Sequence, residues 1–156
     1  MILLEAIRAP FAGAIAWNPP LALAILAMVT AQLFKFLIGL ARRRELDFAR
    51  LLGTGGMPSA HSASVTALAV AAGVGEGWSS PLFGVTAFFS LVVMYDATGI
   101  RRAAGRQARV LNHMLEELRD YHKLEGERLM ELLGHTPVEV LVGAADGASL
   151  VFLLHP

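Results

Sequence analysis

No cysteine occurs in the 156 residues, which excludes disulfides, thiolate metal sites and cysteine nucleophiles. Charge is scarce as well. Asp, Glu, Lys and Arg make up 17% of the chain, against roughly 25% in an ordinary soluble domain. Neither sign is in excess, since thirteen Lys and Arg face thirteen Asp and Glu, so no global basic field points to nucleic acid and no such partner is expected. The stretch from Met1 to Trp17 has no basic leading segment, carries Glu5 and shows no convincing cleavage signal, and a removed signal peptide is not expected. Internal repeats and low-complexity segments are also missing from the sequence.

What is present is long apolar runs between charged blocks. Hydrophobic residues are 55% of the chain and the mean hydropathy is +0.56, a pattern that suits lipid as solvent better than one buried core. Four runs are expected to be spans: Pro19 to Ala41, Ser59 to Val74, Pro81 to about Thr98, and Pro137 to Leu154. The second is marginal in length and rich in Ala and Gly, so it is expected to pack inside a bundle. Residues 3–16 are short and interrupted by Pro10 and Gly13, which fits an interfacial or re-entrant helix. Residues 103–133 carry Leu111, Leu115, Leu118, Leu129 and Leu132 at intervals compatible with one helix face, as an amphipathic helix on or against the bundle would. The expected architecture is therefore all-α: a single integral membrane domain over residues 1–156, with about four spans, an N-terminal interfacial or re-entrant helix and a cytoplasmic amphipathic helix.

Eleven of the thirteen Lys and Arg fall between spans one and two or between spans three and four, counting from Arg42. Short cytoplasmic loops hold such an excess, so these loops are expected in the cytoplasm and both termini outside. A bacterial inner membrane with the polar cluster facing the cytoplasm is the expected location.

Four segments could carry chemistry, and each also has an ordinary structural reading. Gly55-Gly56-Met57-Pro58-Ser59-Ala60-His61-Ser62 leads a glycine turn through Pro58 into a helix. Unpaired amides there attract an anion, Ser59 can donate its hydroxyl to a phosphate oxygen, and His61 can protonate a leaving oxygen; the alternative is a helix start with a carbonyl-bonded histidine. Lys35 and Arg42, seven residues apart, lie on nearly the same helix face and can share a phosphate, unless Lys35 only snorkels and the Arg run only sets topology. Asp96 can orient a histidine or pair with Arg101, while Arg101 or Arg102 can grip phosphate through a planar fork; a mere interfacial ion pair is the alternative. In Gly134-His135-Thr136-Pro137-Val138-Glu139, a capping box from Thr136 to Glu139 accounts for the glutamate but not for His135, which can attack phosphorus. Asp146, seven residues after Glu139, is expected deep in the membrane and paired, with Lys35 as a candidate partner. Gly143 and Gly147 suit close helix packing.

These segments, with Tyr95-Asp96-Ala97-Thr98-Gly99-Ile100-Arg101-Arg102 and Leu111-Asn112, resemble the small divergent branch of the type 2 phosphatidic acid phosphatase superfamily, often labelled acid phosphatase or vanadium-dependent haloperoxidase related. The resemblance implies that Lys35 and Arg42 match the first superfamily motif, Pro58-Ser59-Ala60-His61 the second, and His135 with Glu139 the third. It further implies that Lys35, Arg42 and Ser59 bind phosphate, that His61 protonates the leaving group, and that His135 forms a phosphohistidine with Glu139 orienting it. The chain departs from the superfamily pattern at four points: no Pro follows Arg42, Ala60 replaces Gly, Glu139 replaces Asp, and no Ser-Arg precedes His135 at the usual distance. Arg101 or Arg102 is expected to supply the missing guanidinium.

The reading that results is a membrane phosphatase acting on a lipid phosphomonoester or pyrophosphate. Its expected catalytic residues are His135, His61, Glu139 and Asp96, with Lys35, Arg42, Ser59, Arg101 and Arg102 binding phosphate, no cofactor and no resident metal. The two imidazoles are expected to converge across a gap the size of one phosphoryl group. The partner is a phosphorylated membrane lipid, and a homodimer is reasonable. A non-catalytic lipid-phosphate binder or translocator and a metal site built from His61, Asp96, His135 and Glu139 remain as rivals.

Overall fold

Every described element is helical. The computed structural model describes residues 5, 9–43, 56–122, 129 and 134–155, with side chains at 5, 9–13, 17–41, 56–117, 129 and 134–155. A 3-10 turn, Ala9–Phe11, leads into α1, Ala12–Trp17. The long helices follow as α2, Pro19–Arg43; α3, Ala60–Glu76; α4, Pro81–Thr98; α5, Ile100–His122; and α6, Pro137–Leu154.

The helix starts are written in the sequence. Asn18 accepts the Leu21 N–H of α2 at 3.1 Å, Ser59 caps α3, Ser80 caps α4 and Thr136 caps α6. Pro81 and Pro137 open their helices, where the missing N–H costs no hydrogen bond. Pro58 is different: the helix begins after Ser59, so this proline precedes the cap and does not occupy the first turn expected for it. At the other end of α4, the Gly99 N–H bonds to Tyr95 O at 2.9 Å, and the chain resumes as α5 one residue later.

α3 lies at the centre and packs on α2, α4 and α6. Its inner residues are small: Ala60, Ala63, Ala67 and Ala71 meet Leu23, Ala27 and Ala31 of α2 and Val151 and Leu154 of α6. Gly143 and Gly147 have no room for a side chain, because a Cβ on them would collide with the backbone of Ser59 and Ala63 respectively. Close backbone approach and dispersion hold helices together where lipid removes the hydrophobic advantage of burial. The two glycines thus do what their spacing suggested.

Among the described residues, three stretches are long and apolar enough to cross a membrane: Pro19–Ala41, Pro81–Glu117 and Pro137–Leu154. α4 shows the lipid-facing character most clearly, with Val85, Phe88, Phe89 and Leu91 all exposed. α3 has 17 residues, about 25 Å at 1.5 Å per residue, against a hydrocarbon core of about 30 Å. The expected second crossing is therefore a short central helix shielded by its neighbours.

The amphipathic helix starts at Ile100 rather than 103, and its inner face differs from the leucine row. Gly105, Ala108 and Asn112 turn inward, while Leu111 is exposed along with Val110 and Met114. Leu118 and Leu132 lie outside the residues whose side chains are described.

Candidate functional site

Three helix junctions and one buried lysine meet at one end of the bundle. The segment before α6 is tied to the end of α4 by His135 N–H to Ala97 O at 2.9 Å, and α3 is tied to α6 by Ser59 N–H to Glu139 O at 3.1 Å. Gly134 has φ +85°, and a Cβ there would lie 2.9 Å from Arg101 C, against the first turn of α5. Glycine is required on both counts. The result sets the His135 loop directly on the backbone that carries Arg101 and Arg102.

His135 is 3% exposed, and neither Nδ1 nor Nε2 has a hydrogen-bond partner among the described residues. Buried polar atoms are nearly always bonded, so an imidazole with both nitrogens unpartnered among the described residues is unusual. The ring meets His61 edge-on, with centroids 6.1 Å apart and planes at 69°. The two histidines do converge, as expected. They meet as an edge-on aromatic pair, so no phosphoryl-sized gap stands open between them, and His61 is the exposed member. Burial first, then the cations of Lys35, His61 and Arg101, hold His135 below its ordinary pKa of 6.5, with Glu139 pulling the other way. His135 is therefore a neutral imidazole at pH 7, the form that can attack phosphorus.

Lys35 does not snorkel. It is 7% exposed, its methylenes lie about 3.5 Å from where a Gly56 Cβ would stand, and its charge reaches both histidines. Gly56 has φ +86°, a turn that brings the segment before α3 across the lysine stem. Arg42 lies in the last turn of α2 with its side chain outside the described set. Arg101 Nε pairs with Asp96 Oδ2 at 2.9 Å, and the charges of both are felt at His61. Asp96 thus pairs with an arginine and does not orient a histidine. Arg102 is exposed, placed beside the His135 loop by its backbone.

Two expected roles differ in the structure. Ser59 is fully buried, and its Oγ accepts from Ser62 N at 3.3 Å and Ser62 Oγ at 3.0 Å; as the cap of α3, it retains only its own proton to offer an anion. Glu139 Oε2 accepts the Thr136 N–H at 2.8 Å, and Thr136 Oγ1 accepts the Glu139 N–H at 3.3 Å. This capping box engages the carboxylate, so Glu139 makes no hydrogen bond to His135. Among the described residues, no three His, Asp or Glu side chains gather as metal ligands, which counts against the metal site of His61, Asp96, His135 and Glu139.

Away from the junctions, Asp146 departs from expectation: its Oδ2 is buried without a hydrogen-bond partner among the described residues, and no ion pair to Lys35 forms. His113 behaves as a solvated residue, 3.4 Å from Glu117 on the exposed side of α5. Sequence reasoning missed one feature. Asn112, buried, holds the backbone of Leu129 through both ends of its amide, a pairing that no local pattern announces.

These helices, with a histidine, lysine and arginine cluster at one end, define a polytopic membrane protein, and the chain belongs to the Divergent PAP2 family, whose pattern matches residues 16–150. It is 40% identical over 148 residues to the "Uncharacterized membrane protein YuiD" of Bacillus subtilis (strain 168), a match covering 88% of this chain and 94% of that protein. No solved structure matches it. The family resemblance expected from the motifs is borne out, and so is residence in a membrane.

Proposed function

We propose that the protein is a membrane phosphatase that removes phosphate from a lipid phosphomonoester or pyrophosphate through a phosphohistidine. The observation that carries this reading is His135, buried and neutral, with two unpartnered nitrogens, beside His61 and the charges of Lys35 and Arg101. A ring nitrogen of His135 attacks phosphorus while the bond from phosphorus to the lipid oxygen breaks, and His61 gives its proton to that oxygen. Water then attacks the phosphohistidine, His61 takes the proton, and phosphate leaves with His135 neutral again. Lys35, Arg101 and the amides at the start of α3 stabilise the charge that develops, with Arg42 and Arg102 as further cations on the same face. The lipid chain stays in the bilayer while the headgroup enters the site.

Four crossings, α3 included, with the basic junctions in the cytoplasm of a bacterial inner membrane, complete this reading. Cysteine labelling of an Arg44→Cys variant checks it: protection from impermeant reagent in intact cells is expected, and labelling from outside reverses the topology.

Phosphate release by detergent-solubilised protein from lipid phosphates is the direct test, and no release from any of them overturns catalysis. Its pH profile gives a second reading. With His135 lowered from 6.5, protonation removes the nucleophile only below that value, so the acid limb of the profile lies below 6.5, and loss of the His61 proton sets a separate limb on the alkaline side. An acid limb above 6.5 is incompatible with His135 as the attacking group.

One observation favours a second reading, a non-catalytic lipid-phosphate binder or translocator: Glu139 is committed to its cap and leaves His135 without an orienting carboxylate. Lipid binding without phosphate release is its signature.

A further inference from the structure

α5 carries its described polar side chains on the outside, with one exception. Arg101, Arg102, Arg106, Gln107, Arg109, His113, Glu116 and Glu117 are exposed, and Asn112 is 4% exposed. Its Nδ2 donates to Leu129 O at 2.8 Å, and its Oδ1 accepts from Leu129 N–H at 2.9 Å. One side chain thereby satisfies both backbone groups of a residue seventeen positions away, as a neighbouring strand would. A buried amide is stable only when its hydrogen bonds are met, so Asn112 and the Leu129 backbone are mutually required. Gly105 and Ala108 are buried on the same face.

Leu129 stands six residues before His135. The chain between them is bounded by two other attachments to the same hairpin of α4 and α5: Gly134 against the backbone of Arg101 and Arg102, and His135 N–H on Ala97 O. We infer that Asn112 is a positioning residue for His135, anchoring the returning segment to α5 so that the imidazole is presented, buried and unpartnered, at the end of the bundle. The anchoring is a statement about geometry; only its catalytic consequence rests on the phosphatase reading. Asn112 touches neither His135 nor any reacting atom.

The charged and titratable groups acting on His135 are Lys35 of α2, His61 of α3, Arg101 of α5 and Glu139 of α6, while α4 holds its backbone through Ala97 O. Releasing the segment lets the ring move toward water and away from Lys35, so the His135 titration rises toward 6.5. The experiment is NMR titration of ring-labelled histidines in detergent-solubilised full-length protein, wild type beside Asn112→Ala, with Gln107→Ala as an exposed control on the same helix. The His135 midpoint is expected to rise in Asn112→Ala and to stay unchanged in Gln107→Ala. Asn112→Asp keeps the acceptor for the Leu129 N–H and loses the bond to Leu129 O; it supplies the measurement if Asn112→Ala does not fold, with a smaller rise expected. An unchanged His135 midpoint in the folded variants overturns the proposal, whatever the enzyme assay shows. In the phosphatase assay kcat is expected to fall on the order of 10²-fold, the scale of a small misplacement, with KM little changed because Lys35 and the start of α3 still hold the phosphate. A wild type that releases no phosphate refutes the phosphatase reading alone, since the NMR shift is read without turnover.

Discussion

Where Ala63 meets Gly147, α3 and α6 touch backbone to backbone; around Ser59 and His135, the same two helices begin among charges and unsatisfied nitrogens. The first region is held by shape. It is built of alanines and glycines beside Val151 and Leu154, and Gly147 has no room for a Cβ. The second is held by hydrogen bonds between segments, with His135 N–H on Ala97 O and Ser59 N–H on Glu139 O, and these fix the backbone while leaving the His135 ring unengaged. Tight small-residue packing gives the rigid platform that lets the polar end keep an unpartnered imidazole in place. The contrast teaches that the packed seam begins about one helical turn of α3 beyond the polar end, from Ser59 to Ala63.

If that separation is real, the two ends fail in different ways when altered. The largest effect is expected from His135→Ala, which removes the nucleophile and abolishes phosphoenzyme and phosphate release, while the folded protein persists because no bond to the ring is lost. His61→Ala is expected to slow release by about 10²- to 10⁴-fold, the usual contribution of a proton donor. Radiolabel transfer from a lipid phosphate, followed beside thermal unfolding, checks both; a variant that loses its fold before its activity breaks the comparison. Gly147→Val addresses the other end. A side chain there collides with Ala63 O, and overpacking of a tight interface costs about 1–3 kcal/mol, so a lower unfolding temperature is expected together with lower yield. An unchanged melting curve would show that α6 can slide along α3, and that the seam is not the platform described above.

Much of this was legible in the sequence, for reasons that differ by region. Asn18, Ser80 with Pro81, and Thr136 with Pro137 declare their helix starts through local chemistry, and the capping box from Thr136 to Glu139 formed as the spacing predicts. The meeting of His61 and His135 was accessible because both stand at helix starts on the side marked by arginines. The length of α3 was less so: apolar composition does not report where a helix stops, and Gly77 with φ +93° ends it. The inner face of α5 was misread because leucine was taken as the mark of burial. Beside lipid the rule reverses, and small residues with one amide turn inward while Val110, Leu111 and Met114 face out. Ser59 was expected to bind phosphate and Glu139 to orient His135, and in the structure both serve as caps, since a hydroxyl or carboxylate at a helix start serves the backbone first. The bonds of Asn112 to Leu129 depend on where a distant segment returns, which no local pattern encodes.

The smallest effect expected is also the one that tests the boundary between the two regions. Asp146 lies one residue before Gly147 on α6, on the packed side of the molecule, yet its Oδ2 is buried with no hydrogen-bond partner among the described residues. A buried polar group left unpartnered costs roughly 1–3 kcal/mol in proteins, and Asp146 is half-buried, so part of that cost is relieved. Asp146→Leu removes the carboxylate while keeping the bulk. It is expected to stabilise the protein by about 1 kcal/mol, seen as a modest rise in unfolding temperature in detergent, with phosphate release unaltered because the charge of Lys35 acts on Glu139 and on the two histidines and not on this carboxylate. Gain of stability with intact activity places Asp146 in the structural region as a tolerated defect. Loss of activity with unchanged stability instead extends the functional region a full turn deeper into the bundle, and assigns to Asp146 a role in admitting or moving the charged ligand.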